Sequence, residues 1–317
     1  RPRCYTIGFD DHADIDGNPQ DLPYAKLVAD HLDVDLHVIK VGPDMIGQLG
    51  RLLYHLDEPQ ADPAPINSML IAEQARRDGV KVLLSGTGGD DIFSGYRRHL
   101  ALKLERVWSW LPKAIRSGAA SWANQGAGKG DLRRRFRRAL AYADLPTEDR
   151  MISYFFWTGE QVRRNLYSPD LLDALNGVDT AEPLRTSLQR IPDEGDRLNR
   201  MLYLEGKHFL PDHNLNYLDK TGMAAGVEIR VPLLDMELVD FVVRIPSNLK
   251  LRGTRRKYIL KKVMDPYLPY EAIHRPKTGF GAPLRRWLRH ELREMVADVL
   301  SESSLKRRGL FQPQAVH

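Results

Sequence analysis

VKVLLSGTGGDDIFSGY, residues 80–96, decides the fold class. An apolar run (Val80, Val82, Leu83, Leu84) stops at Ser85-Gly86, and Gly88 and Gly89 then lead into two adjacent carboxylates, Asp90 and Asp91. A strand that ends in glycines and then presents acids reads as a ligand site rather than as packing. Glycines let the backbone approach a ligand and turn its N–H groups toward it. Carboxylates repel a phosphate directly, so their use beside one implies a bridging Mg²⁺. The stretch points to a magnesium–nucleotide or magnesium–pyrophosphate site at the C-terminal end of a buried strand, where open α/β sheets place ligands. The plainer alternative is a glycine turn with a solvated Asp pair.

Working outward, residues 1–100 alternate between strand and helix patterns. Residues 4–9 and 36–41 read as strands, and 80–84 as a third. Residues 10–20, rich in Asp and Gly, read as a loop. Ala25, Leu27, Val28 and Leu32 give 24–32 a helical spacing, repeated over 45–56 and 66–77, the last stopped by Asp78-Gly79. Such alternation predicts an α/β fold with a doubly wound parallel sheet. Beyond about residue 100 strands disappear. Residues 100–111, 132–143 and 151–157 read as helices, and 197–317 as helices joined by Pro- and Gly-marked loops. The GAGKG of 126–130 fails as a phosphate loop, because Gly130 rather than Ser or Thr follows Lys129 and no strand precedes it.

Bulk properties narrow the class. A composition 42% hydrophobic and 28% charged is that of an ordinary globular chain. With Cys4 the single cysteine, neither an intrachain disulfide nor a Cys₂His₂ zinc knot can form. No apolar run approaches the ~18 residues of a membrane span, no signal peptide is visible, and a cytoplasmic setting is expected. The net charge of +5 is partly local, with Arg133, Arg134, Arg135, Arg137 and Arg138 crowded together. Phe136 is the single aromatic among them, so a solvated helix face is a better reading than a base-stacking surface, and no nucleic-acid partner is expected.

Four stretches, in order, carry a family resemblance. HLDEPQADPA (55–64), SGTGGDDIFSGYRRH (85–99), LDKTGMAAGVEIRVPLLD (218–235), and RRKYILKKV (255–263) with RPKTGFGAPLRRWL (275–288) resemble the motifs of the synthetase half of the asparagine synthetase family, the glutamine-dependent amidotransferases. The resemblance implies a sheet of the adenine-nucleotide α-hydrolase (ATP-pyrophosphatase) type followed by a mostly helical C-terminal part. It implies one synthetase domain over 1–317, with 1–100 as the parallel α/β core, 101–195 a helical insertion and 196–317 a helical part closing over the substrate. The family's upstream strand and SGGxDS pyrophosphate loop have no counterpart here, nor does its glutaminase domain. A truncated piece, possible as a homodimer and supplied with ammonia by a glutaminase domain absent from it, is therefore expected.

The implied chemistry joins a small-molecule carboxylate to ammonia. ATP activates the carboxylate as an acyl-adenylate, releasing pyrophosphate, and ammonia displaces AMP. Two anions meet in that step, so Mg²⁺ and at least one Lys or Arg must neutralise them. By resemblance Asp90 binds Mg²⁺ and pyrophosphate with Asp91 beside it as a second metal ligand. Ser85, Gly86 and Gly88 line the nucleotide pocket, Ile7 contacts adenine, and Lys257 is the catalytic lysine. Glu228 and Arg230, charged in an apolar stretch, are expected to be buried and paired, either as a structural ion pair fixing the loop or in ligand binding. Asp57 and Glu58 are expected to touch the acceptor or cap the 66–77 helix. His55, His208 and His213 lack metal spacing.

One residue departs from the pattern. Thr87 stands where the family carries a glutamate that handles protons or the incoming nitrogen, and a threonine hydroxyl is no general base near neutral pH without activation. The reaction is expected to be aspartate to asparagine; the alternatives are another carboxylate, such as a polysaccharide uronic acid, or β-lactam-type ring closure. An RNA-modifying adenylating enzyme and a non-catalytic scaffold fit less well.

Overall fold

The computed structural model describes residues 1–9, 21–125, 140–192, 195–276 and 283–316. The arginine cluster of 133–138, the GAGKG stretch, the 10–20 loop and residues 277–282 of the last family motif lie outside them. The chain forms two compact units that interleave along the sequence. The first comprises Arg1–Gly88, Pro211–Leu238 and Ile259–Arg308, the second Gly89–Leu210, Val239–Tyr258 and Gly309–His317.

The first unit contains all four named strands. β1 (Arg3–Phe9) and β2 (Asp35–Val41) run parallel, in register from Arg3 opposite Asp35 to Phe9 opposite Val41. The intervening helix α1 (Leu22–Leu32) begins with Pro23 in its first turn and ends at Asp33, whose left-handed backbone (φ 52°) closes it. α2 (Leu49–Leu56) and α3 (Ala64–Arg77) follow. Ile66, Met69, Ala72 and Ala75 recur every three residues and are all buried, which seats α3 on the core. Asp78-Gly79 stops that helix as expected: Gly79 takes φ 78° and its N–H donates to the Arg76 carbonyl. Ile7, Val41, Leu52, Leu56, Ile66 and Met69 form the core with Tyr217 and Trp287.

Two expectations are corrected here. The described strands form two separate two-stranded parallel sheets rather than one doubly wound sheet, although the α/β class stands. β3 (Val82–Leu84) pairs with β4 (Glu228–Arg230), a strand that the charged sequence Glu-Ile-Arg does not announce. β3 is also not buried: Val82 is 41% and Leu84 73% exposed, because a strand three residues long has a described partner along one edge alone.

The second unit is helical. α4 (Gly89–Ile92) and α5 (Arg97–Leu104) open it. Its core joins Leu102 of α5 to Met151, Ile152, Leu188, Met201 and Leu204. Among the described residues, no helix is long and apolar enough to cross a membrane.

Candidate active site

The glycine turn after β3 is built from short hydrogen bonds. Ser85 N–H donates to the Arg230 carbonyl (2.8 Å), continuing the β3–β4 ladder by one residue. The Ser85 and Thr87 hydroxyls are 2.8 Å apart, and Thr87 N–H donates to Ser85 Oγ (3.2 Å). Gly88 has φ 92°, and a Cβ there would overlap Leu234, so backbone and space both require glycine. Ile7 belongs to the same unit. Its side chain is buried in the core at 6% exposure and pairs in register with Ile39.

Asp90 and Asp91 belong to the second unit, and there the structure joins two motifs far apart in sequence. The Lys257 ammonium lies 2.9 Å from Asp90 Oδ1. Lys257 is held in the left-handed region at φ 52°, a conformation costing a non-glycine residue of order 1 kcal/mol. Its neighbour Arg256 donates to the Gly95 carbonyl (3.1 Å). Gly95 N–H in turn donates to the Asp90 carbonyl (2.8 Å), and a Cβ on Gly95 would strike the Asp90 carboxylate. The turn thus closes over Asp90 with a clearance that only glycine allows. Burial holds the Arg256 guanidinium below its ordinary pKa; the positive charge of Arg97 adds to this and Asp90 opposes it.

Asp91, expected as a second metal ligand, is sealed from solvent at 1% exposure, with the Tyr96 hydroxyl 3.3 Å from each of its oxygens. Burial first, then the negative charges of Glu205 and Asp90, push its pKa up to about 7. Glu205 is itself fully buried and accepts a two-pronged hydrogen bond from Arg98 and one from His99 Nε2 (2.8 Å). Burial alone would raise the Glu205 pKa, but those hydrogen bonds and the Arg98 charge outweigh it and keep the carboxylate ionised. Burial lowers the His99 pKa against the pull of Glu205, so a neutral ring donating through Nε2 fits best. The Arg98 guanidinium lies 4.3 Å from the Tyr96 ring centroid and 4.2 Å from that of Phe209.

Other residues singled out in the sequence have local partners. Glu228 and Arg230 do pair (2.8 Å), but as an exposed couple on one face of β4 rather than a buried one, since residues two apart in a strand point the same way. Asp57 pairs with Lys220 (2.6 Å), and it is Asp62 that accepts from the N–H of Ala64, the first residue of α3 (2.9 Å). His208 contacts the Ser187 hydroxyl and His213 pairs with Asp62. Among the described residues, no cluster of three or more His, Cys, Asp or Glu side chains is arranged to hold a metal. Sequence reasoning missed Gly95, Tyr96, Arg98, His99, Glu205 and Arg256. The one available signal was Glu205, a lone acid in the apolar run Met201-Leu202-Tyr203-Leu204.

A parallel α/β unit with a glycine turn after a strand, and a helical unit that pairs an acid with a lysine distant in sequence, define a protein of the α/β class. Residues 1–317 match the sequence model described as asparagine synthase, and the chain belongs to that family. It is 30% identical over 309 residues to asparagine synthetase (glutamine-hydrolyzing) 1 of Bacillus subtilis (strain 168), covering 95% of this chain and 45% of that one. A second B. subtilis relative, asparagine synthetase (glutamine-hydrolyzing) 3, is 24% identical over 75% of this chain and 32% of its own length. The amidase chyE of Penicillium rubens is 24% identical over 97% of this chain and 47% of its own. The chain thus spans less than half the length of these relatives.

Proposed function

We propose that this chain is the synthetase part of an ATP-dependent amide-forming ligase, which adenylates a carboxylate and lets ammonia displace AMP. The observation that carries the reading is the 2.9 Å contact between Lys257 and Asp90, which brings together the two motif residues with the most specific roles. The contact engages one of the lysine's three N–H donors, which leaves two for phosphate oxygens. Lys257 stabilises charge on the α-phosphate and on the tetrahedral species formed when ammonia attacks.

The donor set suits Mg²⁺ held jointly with a nucleotide. Such a cation needs one or two protein carboxylates, with phosphate oxygens and water completing its shell. Asp90, whose side chain is 20% exposed, can serve; Asp91, buried against Tyr96, cannot without unpacking. We assign the cation to Asp90 alone, where it would neutralise phosphate charge. Asp91 instead helps hold the turn. Ser85, Gly86 and Gly88 are assigned to the nucleotide by their place after β3, and Ile7 to adenine through its backbone, since its side chain is packed inward.

The acceptor is where Thr87 matters. Its hydroxyl is engaged by Ser85 and supplies no base, so an acceptor other than aspartate is the reading this residue favours, with glutamine the expected source of ammonia. The test uses the full-length gene product with ATP, Mg²⁺ and an ammonium salt. Carboxylate-dependent AMP formation is measured over aspartate, β-amino acids and nucleotide-linked uronates. Lys257→Ala is expected to cost about 3–4 kcal/mol in kcat/KM, the scale of losing one preorganised donor. Asp90→Asn should abolish pyrophosphate release. Normal turnover by both variants would overturn the assignment, and robust asparagine production would return the acceptor to aspartate.

A further inference from the structure

The helical second unit contains a cleft of about 450 Å³ that the amide-forming chemistry does not use. Three segments build it: the end of α5 with the turn after it (Leu102, Lys103, Arg106), the start of the helix Arg197–Leu204, and the short helix Ser247–Lys250 with its flanks. Its floor is apolar. Leu102, Leu198 and Leu251 are 2%, 8% and 0% exposed.

Among the described residues, its walls carry three cations, Lys103, Arg106 and Arg197, against the single acid Asp196. Asp196 lies in the wall, but its oxygens are committed: Oδ1 accepts from Leu198 and Asn199 N–H, and Oδ2 from the Ser247 hydroxyl (2.7 Å). Arg197 donates to Glu105 (2.7 Å), which Arg150 also engages (2.9 Å), and the buried Arg197 Nε has no hydrogen-bond acceptor among the described residues. Lys103 donates to the Leu251 carbonyl (2.6 Å), leaving two donors over. Arg106 is exposed and, among the described residues, has no ion-pair partner. Beneath the wall, Lys250 is 2% exposed and donates to Asn199 Oδ1 (3.1 Å); burial brings its pKa down to about 8, with Asp196 opposing. Arg200 is balanced by Glu148. Among the described residues, the lining cations Lys103, Arg106 and Arg197, with Arg150 and Lys250 behind them, are opposed by Glu105 and Asp196.

Concave surface, apolar floor and surplus cations together describe a ligand, since uncompensated positive charge around a low-dielectric cleft concentrates anions. The volume falls in the range of small-molecule sites. Two guanidiniums match the geometry of phosphate oxygens better than that of a single carboxylate would require. We infer that the cleft binds a small phosphate-bearing molecule with an apolar body, the phosphate held by Lys103, Arg106 and Arg197 and the body lying against Leu198, the most accessible of the three floor leucines.

The test is calorimetric titration of the intact protein, in a phosphate-free buffer, with phenyl phosphate and separately with inorganic phosphate. Phenyl phosphate should bind saturably and more tightly than inorganic phosphate. Its affinity should weaken by about tenfold or more in Lys103→Ala and in Arg106→Glu, the scale of one charge-assisted hydrogen bond. It should be unchanged in Lys257→Ala. Because Arg106 is exposed, Arg106→Glu keeps the test valid should Lys103→Ala fail to fold. Absence of saturable binding, binding that survives Arg106→Glu, or binding lost in Lys257→Ala would each overturn the inference. The last would move the phosphate to the proposed amide-forming site. Equal affinity for inorganic phosphate would overturn the apolar part of it.

Discussion

Glu105 and Glu205 are both fully buried, both in the helical unit, and both held by an arginine that lies over aromatic rings. Glu105 is answered by Arg150, Arg197 and the Tyr154 hydroxyl (2.8 Å); burial and then the Glu105 charge raise the Tyr154 pKa, but that phenol is neutral near pH 7 either way. Glu205 is answered by Arg98 and His99, but the burial of His99 favours its neutral form, so one cation stands against the acid. At Asp91, burial first and then the charges of Glu205 and Asp90 outweigh the opposing Tyr96 hydroxyl and Arg98, and its pKa is raised to about 7. The same device is thus a structural clamp at Glu105 and a way of setting a neighbour's charge at Glu205. What differs is how completely each acid is neutralised.

The largest expected effect tests the shared part of that comparison. Glu105→Gln and Glu205→Gln each strand buried guanidinium charge and should each lower unfolding stability by about 3–5 kcal/mol in chemical denaturation. The comparison breaks if the folded fraction of Glu205→Gln keeps the full rate of pyrophosphate release, because only Glu205 borders the proposed site.

The next tests the field itself. A carboxyl whose folded pKa is raised from about 4 to about 7 binds more protons when folded than when unfolded. Its protonated form therefore stabilises the fold at low pH, and stability is lost as pH rises through 7. Asp91→Asn removes that dependence. Measured against the unmodified protein by denaturant titration, it should gain up to ~4 kcal/mol in relative stability between pH 4 and pH 8. A difference that stays flat across that range would show that the Asp91 pKa is not raised in the folded protein.

Smaller still is Gly95→Ala. The added Cβ displaces the Asp90 carboxylate. A melting temperature lowered by only a few degrees, about 1–3 kcal/mol of overpacking, should accompany loss of pyrophosphate release. Retained release at that lowered melting temperature would show that Asp90 need not be held. The smallest effect belongs to the exposed pair: Glu228→Gln should leave the melting temperature unchanged within error, and a clear drop would mean β4 depends on it.

What the sequence made legible was residue chemistry in local context. Asp90 and Lys257 stood out because acids after a glycine turn and a lysine in a family motif point to phosphate, and the fold brings them to 2.9 Å. Gly79 as a helix stop was legible for a similar local reason. The partners of Glu205 were not, since nothing in a single sequence pairs an acid with Arg98 and His99 across more than a hundred residues. The burial of β3 was misread because Val82, Leu83 and Leu84 record affinity for a core but not how many strands come to flank them. Glu228 and Arg230 were misplaced for the converse reason: their apolar neighbours concealed that alternation along β4 turns both charges outward.

The left-handed backbone of Lys257 bears on how this chain would age under relaxed selection. At φ 52° glycine sits without penalty, so Lys257→Gly would relieve strain while removing the ammonium. Selection for folding alone pushes that codon away from lysine, and selection for the proposed chemistry would push it back. A lineage that had stopped making the amide would be expected to lose Lys257 early, ahead of the acids that hold the turn, so the residue works as a gauge of whether the reaction is still in use.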